Sequence, residues 1–224
     1  LKLFFLDLNS NEFIFSSSAA IYGSSHFGLI NEDSLTRPEN PYAETKAAIE
    51  SVLKASYNIN PHKLKIACLR YFNPIGANPF GSIEENSNNI FPYLIKVASK
   101  KEKFLKVFGN DWPTFDGTGI RDYIHVMDLA EGHISAMKYL DLNKPQFINL
   151  NLGTGKGTSV IELVKTFEEV NSCKINFKFE ERRNGDVPSL IADNKKASFI
   201  LNWKPRRTLE KMCKDGWEWG KLYS

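Results

Sequence analysis

A tyrosine and a lysine four residues apart form the pair in this sequence that is best suited to acid–base chemistry. Tyr42 and Lys46 lie in the segment NPYAETK at 40–46. The segment predicts the start of a helix, because Asn40 is a good N-cap and Pro41 suits the first helical position. A spacing of four places the phenol and the ammonium on one helix face, where a fixed cation favours the phenolate. Such a pair can take a proton from a bound substrate and return it.

The surroundings of this pair decide whether the chemistry works. Ile49 and Leu53 continue the same helix face, so we expect Tyr42 and Lys46 to point inward. An isolated tyrosine ionises near pH 10, and ionisation at about neutral pH requires roughly 4 kcal/mol. A cation about 4 Å away supplies about 1 kcal/mol in water and about 4 kcal/mol at an effective dielectric constant of 20. The spacing alone also fits an ordinary pair on a helix surface.

Polar residues follow two segments that we predict to be strands, 12–15 and 65–71. Ser16–Ser18 come directly after the first, and Asn73 closes the second. Open parallel sheets bind ligands at the carboxyl ends of their strands. A serine hydroxyl there can hydrogen-bond the substrate oxygen that Tyr42 deprotonates, although serines are also common turn residues.

Arginines suited to a diphosphate occur in two places. Arg121 lies in GIRDYIHV, and Arg182 and Arg183 lie in ERRNGDVP. A guanidinium offers permanently charged, bidentate donors to phosphate oxygens. Asp122 and Asp186 beside them either neutralise the arginines or bind ribose hydroxyls. Each arginine taken singly also fits a solvated or structural role.

A glycine-rich turn, LGTGKGTS at 152–159, follows a predicted strand and precedes a predicted helix. Such a turn can bind phosphate at a helix N-terminus. Its spacing fits neither GxGxxG nor GxxxxGK[ST], so we predict a tight connection instead.

The composition is that of an ordinary globular protein, with 42% hydrophobic and 25% charged residues. A net charge of +3 is too balanced to indicate a nucleic-acid or membrane surface, and no apolar run approaches a membrane span. The four histidines have no metal-ligand spacing, so we expect no metal site. The three cysteines are far apart and odd in number, which indicates reduced thiols in a cytoplasmic protein.

Strand and helix patterns alternate along the chain, which predicts an α/β fold. A loop at 74–88 is rich in Gly, Pro, Asn and Ser. Before it we predict a strand at 12–15, a helix at 41–57 and a strand at 65–71. After it we predict a helix at about 89–101, strands at 105–108, 123–126 and 147–152, a helix at 127–141 with Ala130, Ile134, Met137 and Leu140 on one face, and a smaller mixed lobe. That lobe has helices from about 158, near 195–201 and from 208, and a strand at 175–179.

Six segments in this order resemble the UDP-glucose 4-epimerases, a branch of the extended short-chain dehydrogenases/reductases. They are FIFSSSAAIYG at 13–23, NPYAETK at 40–46, LRYFNPIGA at 69–77, VFGNDWPTFDGTGIRDYIHVMDLAEGH at 107–133, NLGTGKG at 151–157 and RRNGDVP at 182–188. The resemblance covers nearly the whole chain. GNDWPTFDGTGIRDYIHVMDLA followed by RRNGD is specific to the epimerase branch.

The resemblance implies a bound NAD that takes a hydride from C4 of a UDP-hexose and returns it to the other face of a 4-keto intermediate, interconverting UDP-glucose and UDP-galactose in galactose metabolism. Tyr42 matches the acid/base, and Lys46 the residue that binds the nicotinamide ribose and favours the phenolate. Ser18 matches the serine that hydrogen-bonds the reacting hydroxyl. Tyr71 and Pro74 match positions near the nicotinamide.

The resemblance also implies a set of UDP-sugar contacts. These are Asn73 and Asn89 at the sugar and diphosphate, Phe108 beside the uracil, Arg121, Tyr123 and Arg183 at the diphosphate, and Asp186 at the ribose. The family further implies a homodimer.

The implied fold is the C-terminal part of a Rossmann-like doubly wound parallel sheet plus a smaller mixed α/β substrate-binding lobe. We expect 1–73 to be the remaining part of the NAD-binding domain, with 123–153 returning to it, and 74–224 to be mainly the UDP-sugar-binding lobe. Because the family's GxxGxxG turn does not precede Leu1, we expect an N-terminally truncated chain that holds NAD poorly alone.

The sequence leaves three points open. The loop at 76–88 is about four residues shorter than the family's, which weakens the placement of Asn89. Leu190 stands where the family carries either a bulky Tyr or a small residue that admits N-acetylated sugars, so the sugar is undecided. A sister dehydratase or decarboxylase, or a non-catalytic remnant, also fits. Dehydratases generally place an Asp-Glu pair after the first serine or threonine of this region, whereas this chain has Ser and Ala there.

Overall fold

A computed structural model describes residues 11–24, 28–78, 89–183 and 185–222. The sequence of residues 1–9 is compatible with the end of an amphipathic helix, but this segment lies outside these ranges. One of the four histidines, His26, and the part of the 74–88 loop after 78 also lie outside them. None of the helices in the described ranges is long and apolar enough to cross a membrane.

The described chain alternates strands and helices. The strands are β1 (Glu12–Ser18), β2 (Leu29–Ile30), β3 (Lys65–Tyr71), β4 (Asn73–Ile75), β5 (Leu105–Phe108), β6 (Ile120–Arg121), β7 (Tyr123–His125), β8 (Gln146–Leu152), β9 (Thr158–Ser159), β10 (Phe177–Glu180) and β11 (Ser189–Ala192). The helices are α1 (Pro41–Ile59), α2 (Ile90–Ala98), α3 (Val126–Leu142), α4 (Val160–Asn171), α5 (Lys195–Leu201) and α6 (Leu209–Leu222), and a 3₁₀ helix, Ala19–Tyr22, follows β1.

A parallel sheet in the order β1–β3–β8 forms the centre of the first half of the molecule. Successive residues of β3 face opposite sides, as strand geometry requires. Ile66 and Cys68 pack in a cluster with Leu53 of α1, whereas Ala67 and Leu69 pack in a cluster with residues of α3. The sheet is therefore covered by helices on both faces, which confirms the predicted parallel α/β fold.

Smaller sheets in the described ranges surround a second apolar cluster. Their strand orders are β2–β11–β6–β9, β10–β5 and β4–β7. The cluster includes Leu94 of α2, Leu105 of β5, Phe167 of α4 and Met212 of α6. Helix α2 and strand β5 also contribute side chains to the cleft described below.

Several predicted boundaries are wrong. Ser16–Ser18 are the last residues of β1 and do not follow it, because they pair in register with 69–71 of β3. Helix α2 ends at Ala98 and not near 101, where Lys100 takes a left-handed conformation with φ of 59°. Helix α4 begins at Val160 because Ser159 caps it in a capping box.

The apolar face predicted for α1 is wrong. Its buried residues are Ala43, Glu50 and Leu53, whereas Tyr42 is 57% and Ile49 is 41% exposed. The helix rotates so that the small Ala43 side chain and the ion-paired Glu50 face the sheet.

The face predicted for α3 is wrong in the same way. Ile134 and Met137 are exposed, and Leu129, Ala136 and Leu140 are buried. Gly132 brings this helix close to β8, because a Cβ there would stand 3.0 Å from a methyl of Leu152.

Candidate active site

Helix α1 begins as its sequence predicts. The Asn40 side chain accepts a hydrogen bond from the Ala43 N–H at 2.9 Å, and Pro41 is the first helical residue. The cap fixes where the helix starts, and Tyr42 and Lys46 consequently leave its first turns on one side. The lysine ammonium lies 5.5 Å from the centroid of the Tyr42 ring.

Lys46 connects α1 to the carboxyl end of β1. Its Nζ donates a 2.9 Å hydrogen bond to the Ser16 carbonyl and lies 5.1 Å from the centroid of the Phe15 ring. An ammonium has three donors, so two are available beyond this bond within the described chain. The inward orientation predicted for Tyr42 is wrong, and the phenol stands at the sheet edge where ligands bind in open α/β folds.

Ser18 lies at the same edge. It caps the 3₁₀ helix Ala19–Tyr22, and its Oγ accepts a hydrogen bond from the Ala20 N–H at 3.2 Å. Within the described ranges the hydroxyl proton of Ser18 has no acceptor and is available for a second partner. In the sheet register Ser18 is the neighbour of Tyr71.

Tyr71 is held by two side chains. Its hydroxyl lies 2.6 Å from Ser16 Oγ and also contacts Nε2 of His133. Nδ1 of His133 lies 2.9 Å from the Leu129 carbonyl, which can only accept, so Nε2 is the acceptor toward Tyr71. Burial raises the pKa of Tyr71, which therefore stays protonated near neutral pH. No sequence pattern marked His133, because its partner is 62 residues away.

A cleft of about 610 Å³ is lined by seven of the predicted UDP-sugar contacts. The eighth predicted contact, Ser18, is not among its lining residues. Its lining is Asn73, Asn89, Ile90, Tyr93, Glu102, Phe104, Leu105, Lys106, Val107, Phe108, Trp112, Gly119, Arg121, Tyr123, Val160, Arg183 and Asp186. The volume is typical of a small-molecule site. Ser18, Tyr42, Lys46, Tyr71 and Pro74 are not among the lining residues, and Pro74 pairs in β4 with Ile124 of β7.

Two arginines, Arg121 and Arg183, contribute positive charge to the cleft. Nη1 of Arg121 donates to the carbonyls of Ile120 at 2.9 Å and Val187 at 2.8 Å, and Nη2 lies 3.7 Å from Asp186. These contacts fix the Arg121 guanidinium.

The guanidinium of Arg183 is placed differently. Its central carbon lies 3.7 Å from the centroid of the Phe108 ring. Arg183 therefore covers one face of the Phe108 ring, and both residues line the cleft. The Arg183 guanidinium makes no side-chain hydrogen bond to the residues that the structure describes, so its N–H donors can meet a ligand.

Three further residues predicted to contact the UDP-sugar are Asn73, Tyr123 and Asn89. Asn73 has a buried Oδ1 with no hydrogen-bond partner among the described residues, which suits a ligand donor in the cleft. Tyr123 is only 4% exposed, and burial raises the pKa of its phenol, so it meets the cleft as a neutral hydroxyl. Asn89 occupies the N-cap position of α2.

Aromatic and charged lining residues were missed by the sequence reasoning. Tyr93, Phe104 and Trp112 offer apolar surface, and Glu102 and Lys106 offer charge. Only Trp112 had a local signal, within GNDWPTFDG.

The glycine-rich turn is a tight connection, as predicted. The buried Asp122 carboxylate accepts hydrogen bonds from the N–H groups of Thr154, Gly155 and Ala192 at 2.8, 2.9 and 3.1 Å. Two of the turn's amides are therefore already occupied. The prediction that Asp122 neutralises an arginine or binds ribose is wrong, because its partners are these amides and the Thr154 hydroxyl.

Comparison with known proteins gives relatives over nearly the whole chain. Residues 5–216 match the family described as GDP-mannose 4,6 dehydratase. The chain is 46% identical over 210 residues to a UDP-glucose 4-epimerase of Bacillus subtilis, an alignment that covers 92% of this chain and 61% of the relative. The chain thus spans about three fifths of the length of the curated relatives it matches.

Solved structures that resemble this chain are also UDP-glucose 4-epimerases. A UDP-glucose 4-epimerase of Stenotrophomonas maltophila, with bound NAD and formylated UDP-arabinopyranose, superposes with a TM-score of 0.93 and 38% identity over 98% of this chain and 66% of that chain. The enzyme of Bifidobacterium longum, in complex with NAD+ and UDP, gives a TM-score of 0.92 and 36% identity over 99% of this chain and 67% of that chain.

Proposed function

The chain belongs to the extended short-chain dehydrogenase/reductase family described as GDP-mannose 4,6 dehydratase, and from this premise we propose that it carries the acid–base pair and the UDP-sugar cleft of a UDP-glucose 4-epimerase. The proposed reaction interconverts UDP-glucose and UDP-galactose through transient oxidation at C4. The relatives that are 42–46% identical to it carry that name.

One observation carries this proposal. Residues from five separate stretches, which the family resemblance assigns to one nucleotide sugar, line one cleft: Asn73, Asn89, Phe108, the pair Arg121 and Tyr123, and the pair Arg183 and Asp186. The two arginines suit a diphosphate, and the unpartnered Asn73 oxygen suits a sugar or ribose hydroxyl. Asn73 follows the end of β3 closely, so the cleft adjoins the strand whose last residue neighbours Ser18.

The proposed proton chemistry uses Tyr42, Lys46 and Ser18. Tyr42 accepts the proton of the C4 hydroxyl and returns it when the hydride comes back. Lys46, 5.5 Å from the ring centroid, stabilises the phenolate that receives the proton. The Ser18 hydroxyl, with its proton available, hydrogen-bonds the same oxygen and fixes its direction. Tyr71 stays protonated because it is buried, so the two tyrosines have different roles.

The residues at the sheet edge fit the NAD that the relatives' structures contain. Lys46 has two N–H donors to spare for a ribose, and Tyr42 is 57% exposed beside it. Tyr71 and Pro74 would contact the nicotinamide, Tyr71 through its ring, since its hydroxyl is occupied. The dinucleotide supplies a reversible hydride acceptor for C4.

A dehydratase is the second candidate, because the matching family is described by that activity. Dehydration requires an acid and a base at C5 and C6. Dehydratases of the superfamily generally carry an Asp-Glu pair for this purpose. In this chain the residues from Ser16 to Ala20 are serines and alanines, so none of them is acidic, and Ala19 is buried in the 3₁₀ helix. The nearby carboxylate of Glu50 is already paired with Arg70, so epimerisation is favoured.

The test is product analysis. The intact protein, supplied with NAD and UDP-galactose, is expected to form UDP-glucose, and the reverse reaction is expected from UDP-glucose. A 4-keto-6-deoxy product would show dehydration instead. No conversion of either sugar nucleotide by folded, NAD-supplied protein would refute the proposal.

The domain division remains our proposal, with 1–73 and 123–153 in the NAD-binding part and 74–224 mainly in the UDP-sugar lobe. The pairing of β8 with β3 supports it. A cytoplasmic location is supported by three free cysteines.

Homodimerisation is also proposed. Ile49, Val52 and Ile59 expose an apolar stripe along α1, with exposures of 41%, 41% and 73%, which is the kind of surface that a second copy covers. In sedimentation experiments we expect a dimer for the intact protein and dissociation for Val52→Glu. A monomeric wild type would contradict this.

A further inference from the structure

An ion pair is buried beneath the candidate active site. Arg70 of β3 and Glu50 of α1 are 3% and 7% exposed. Nε of Arg70 donates to Oε1 of Glu50 at 3.0 Å and Nη2 donates to Oε2 at 2.7 Å. The removal of two charges from water is costly, and apolar residues of similar volume often stabilise a core equally well. The pair therefore requires an explanation other than stability.

The pair connects α1 to β1 next to the proposed chemistry. Oγ of Ser17 donates to Oε1 of Glu50 at 2.5 Å. Glu50 stands one helical turn after Lys46, and Ser17 lies between Ser16, which accepts from Lys46, and Ser18. Two hydrogen bonds one turn apart therefore hold α1 to the end of β1. These two hydrogen bonds fix the rotation of the Tyr42 helix about its axis and its position along that axis.

The other side of the guanidinium holds the turn after Ser18. Nη1 of Arg70 donates to the Tyr22 hydroxyl at 2.9 Å and to the Glu32 carbonyl at 3.1 Å. Tyr22 is the last residue of the 3₁₀ helix that Ser18 caps, and its hydroxyl donates to Oδ1 of Asn151 at 2.7 Å. One guanidinium thus contacts the helix of the proposed base and the turn that orients the proposed serine.

We propose that Ser17, Glu50 and Arg70 are positioning residues that set the Tyr42 hydroxyl against the Ser18 hydroxyl, a role that rests on the proposed function. Neither Glu50 nor Arg70 touches the cleft, and both are too buried to meet the substrate. Their effect is on geometry, to which catalysis is sensitive, since a misplacement of about 1 Å can cost about 100-fold in rate.

The test compares two serine variants of the intact protein. Ser17→Ala removes one oxygen and leaves Arg70 and Glu50 paired. Ser51→Ala is the matched control, because Ser51 follows Glu50 on the same helix and, among the residues that the structure describes, its Oγ bonds only the Ala47 carbonyl, at 3.0 Å. We expect kcat of Ser17→Ala to fall about 10- to 100-fold, with UDP affinity within the range of Ser51→Ala. The lost hydrogen bond to the charged Glu50 lowers the unfolding midpoint, but we expect the variant to stay folded at the assay temperature.

Three results would overturn the proposal. Equal kcat for the two variants would remove Ser17 from positioning. Parallel losses of kcat, UDP affinity and thermal stability would show a general structural role. If Ser17→Ala does not fold, the double variant Glu50→Leu with Arg70→Met decides, because an apolar pair leaves no charge unpaired, and wild-type kcat in that variant would refute positioning. An inactive wild type would refute the proposed function instead.

Discussion

The orientation of Tyr42 and Lys46 depends on contacts that helix α1 makes with strand β1. The ammonium is placed by the Ser16 carbonyl at 2.9 Å and by the Phe15 ring, both from β1. The phenol remains on the open side of α1. A four-residue spacing can place two groups on one face of a helix, but only the partner strand determines which way that face turns.

Arg183 and Arg182 are neighbours with different partners, which allows a matched test. Arg183 lines the cleft over Phe108, whereas Arg182 pairs with Asp111 at 2.8 Å and lies over Trp112. We expect Arg183→Ala to weaken UDP binding by about 1.5 to 3 kcal/mol, the scale of a hydrogen bond to a charged group. Calorimetry on the intact protein measures this.

The control is Arg182→Ala, which we expect to bind UDP with nearly wild-type affinity. Equal losses in the two variants would mean that general positive charge, and not the Arg183 contact, holds the diphosphate. Unchanged affinity in Arg183→Ala would remove that residue from the site.

Gly153 tests the tight connection at the end of β8. A Cβ at this position would stand 2.6 Å from both Asp122 Oδ2 and the Cβ of Ala192. We expect Gly153→Ala to lower the free energy of unfolding by about 1–3 kcal/mol, measured by denaturant titration. Gly132→Ala is the control for a milder clash, because a Cβ there meets a methyl of the buried Leu152 at 3.0 Å and alanine favours the helix. We expect it to lower the free energy of unfolding by less than Gly153→Ala. A loss for Gly153→Ala no larger than the control's would contradict the packing described.

Local sequence signals predicted some residues of the site and not others. Tyr42, Lys46 and the Asn40 cap depend on contacts within one turn of helix, and these were predicted correctly as a helix start. His133, Glu50 and Asp122 take their roles from partners 20 to 70 residues away. The spacing of apolar residues along the chain does not predict contacts between residues so far apart in sequence.

Helix α3 begins with a histidine cap. His125 is its N-cap, and Nδ1 of His125 accepts from the Met127 N–H at 3.0 Å, so Nε2 carries the proton toward Asp215. Arg207 and Asp128 are the other charged groups that act on this ring. A second proton on the ring would break the cap.

Burial lowers the pKa of His125 below its ordinary value of 6.5. The unfolded state therefore binds this proton more readily than the folded state. We expect the free energy of unfolding to fall as the pH drops below about 6.5. Denaturant titrations at several pH values measure this slope.

Two variants isolate the contribution of His125. His125→Asn retains a capping side chain and should flatten the slope, whereas His62→Gln, in an exposed turn, should retain it. A slope that survives His125→Asn would assign the pH dependence to another group.

Helix faces were the least predictable feature at the scale of elements. In α1 and α3 the spacing of apolar residues fits two adjacent faces, and the small residues Ala43 and Gly132 decide between them by letting the helix approach the sheet. Such a choice is made by packing volume. Strand β3 was predicted with its correct bounds, because it is buried on both faces and reads as one apolar run.

At the scale of the molecule, the site lies where the parallel sheet meets the smaller sheets. β1 and β3 bring Ser18 and Tyr71 to one edge, and the chain then continues through Asn73 into the cleft. The parallel α/β class followed from the alternation of patterns. The cleft did not, since its lining comes from stretches between 73 and 186, and only the family resemblance grouped them.

The most direct test of the account is turnover by Tyr42→Phe in the intact protein with NAD. Phenylalanine keeps the ring at this exposed position and removes only the acid–base oxygen. We predict a loss of at least about 100-fold in kcat for conversion of UDP-galactose to UDP-glucose, with the unfolding midpoint and UDP affinity unchanged. Near-normal turnover by Tyr42→Phe would contradict the assignment of Tyr42, and with it the proposed chemistry of the site.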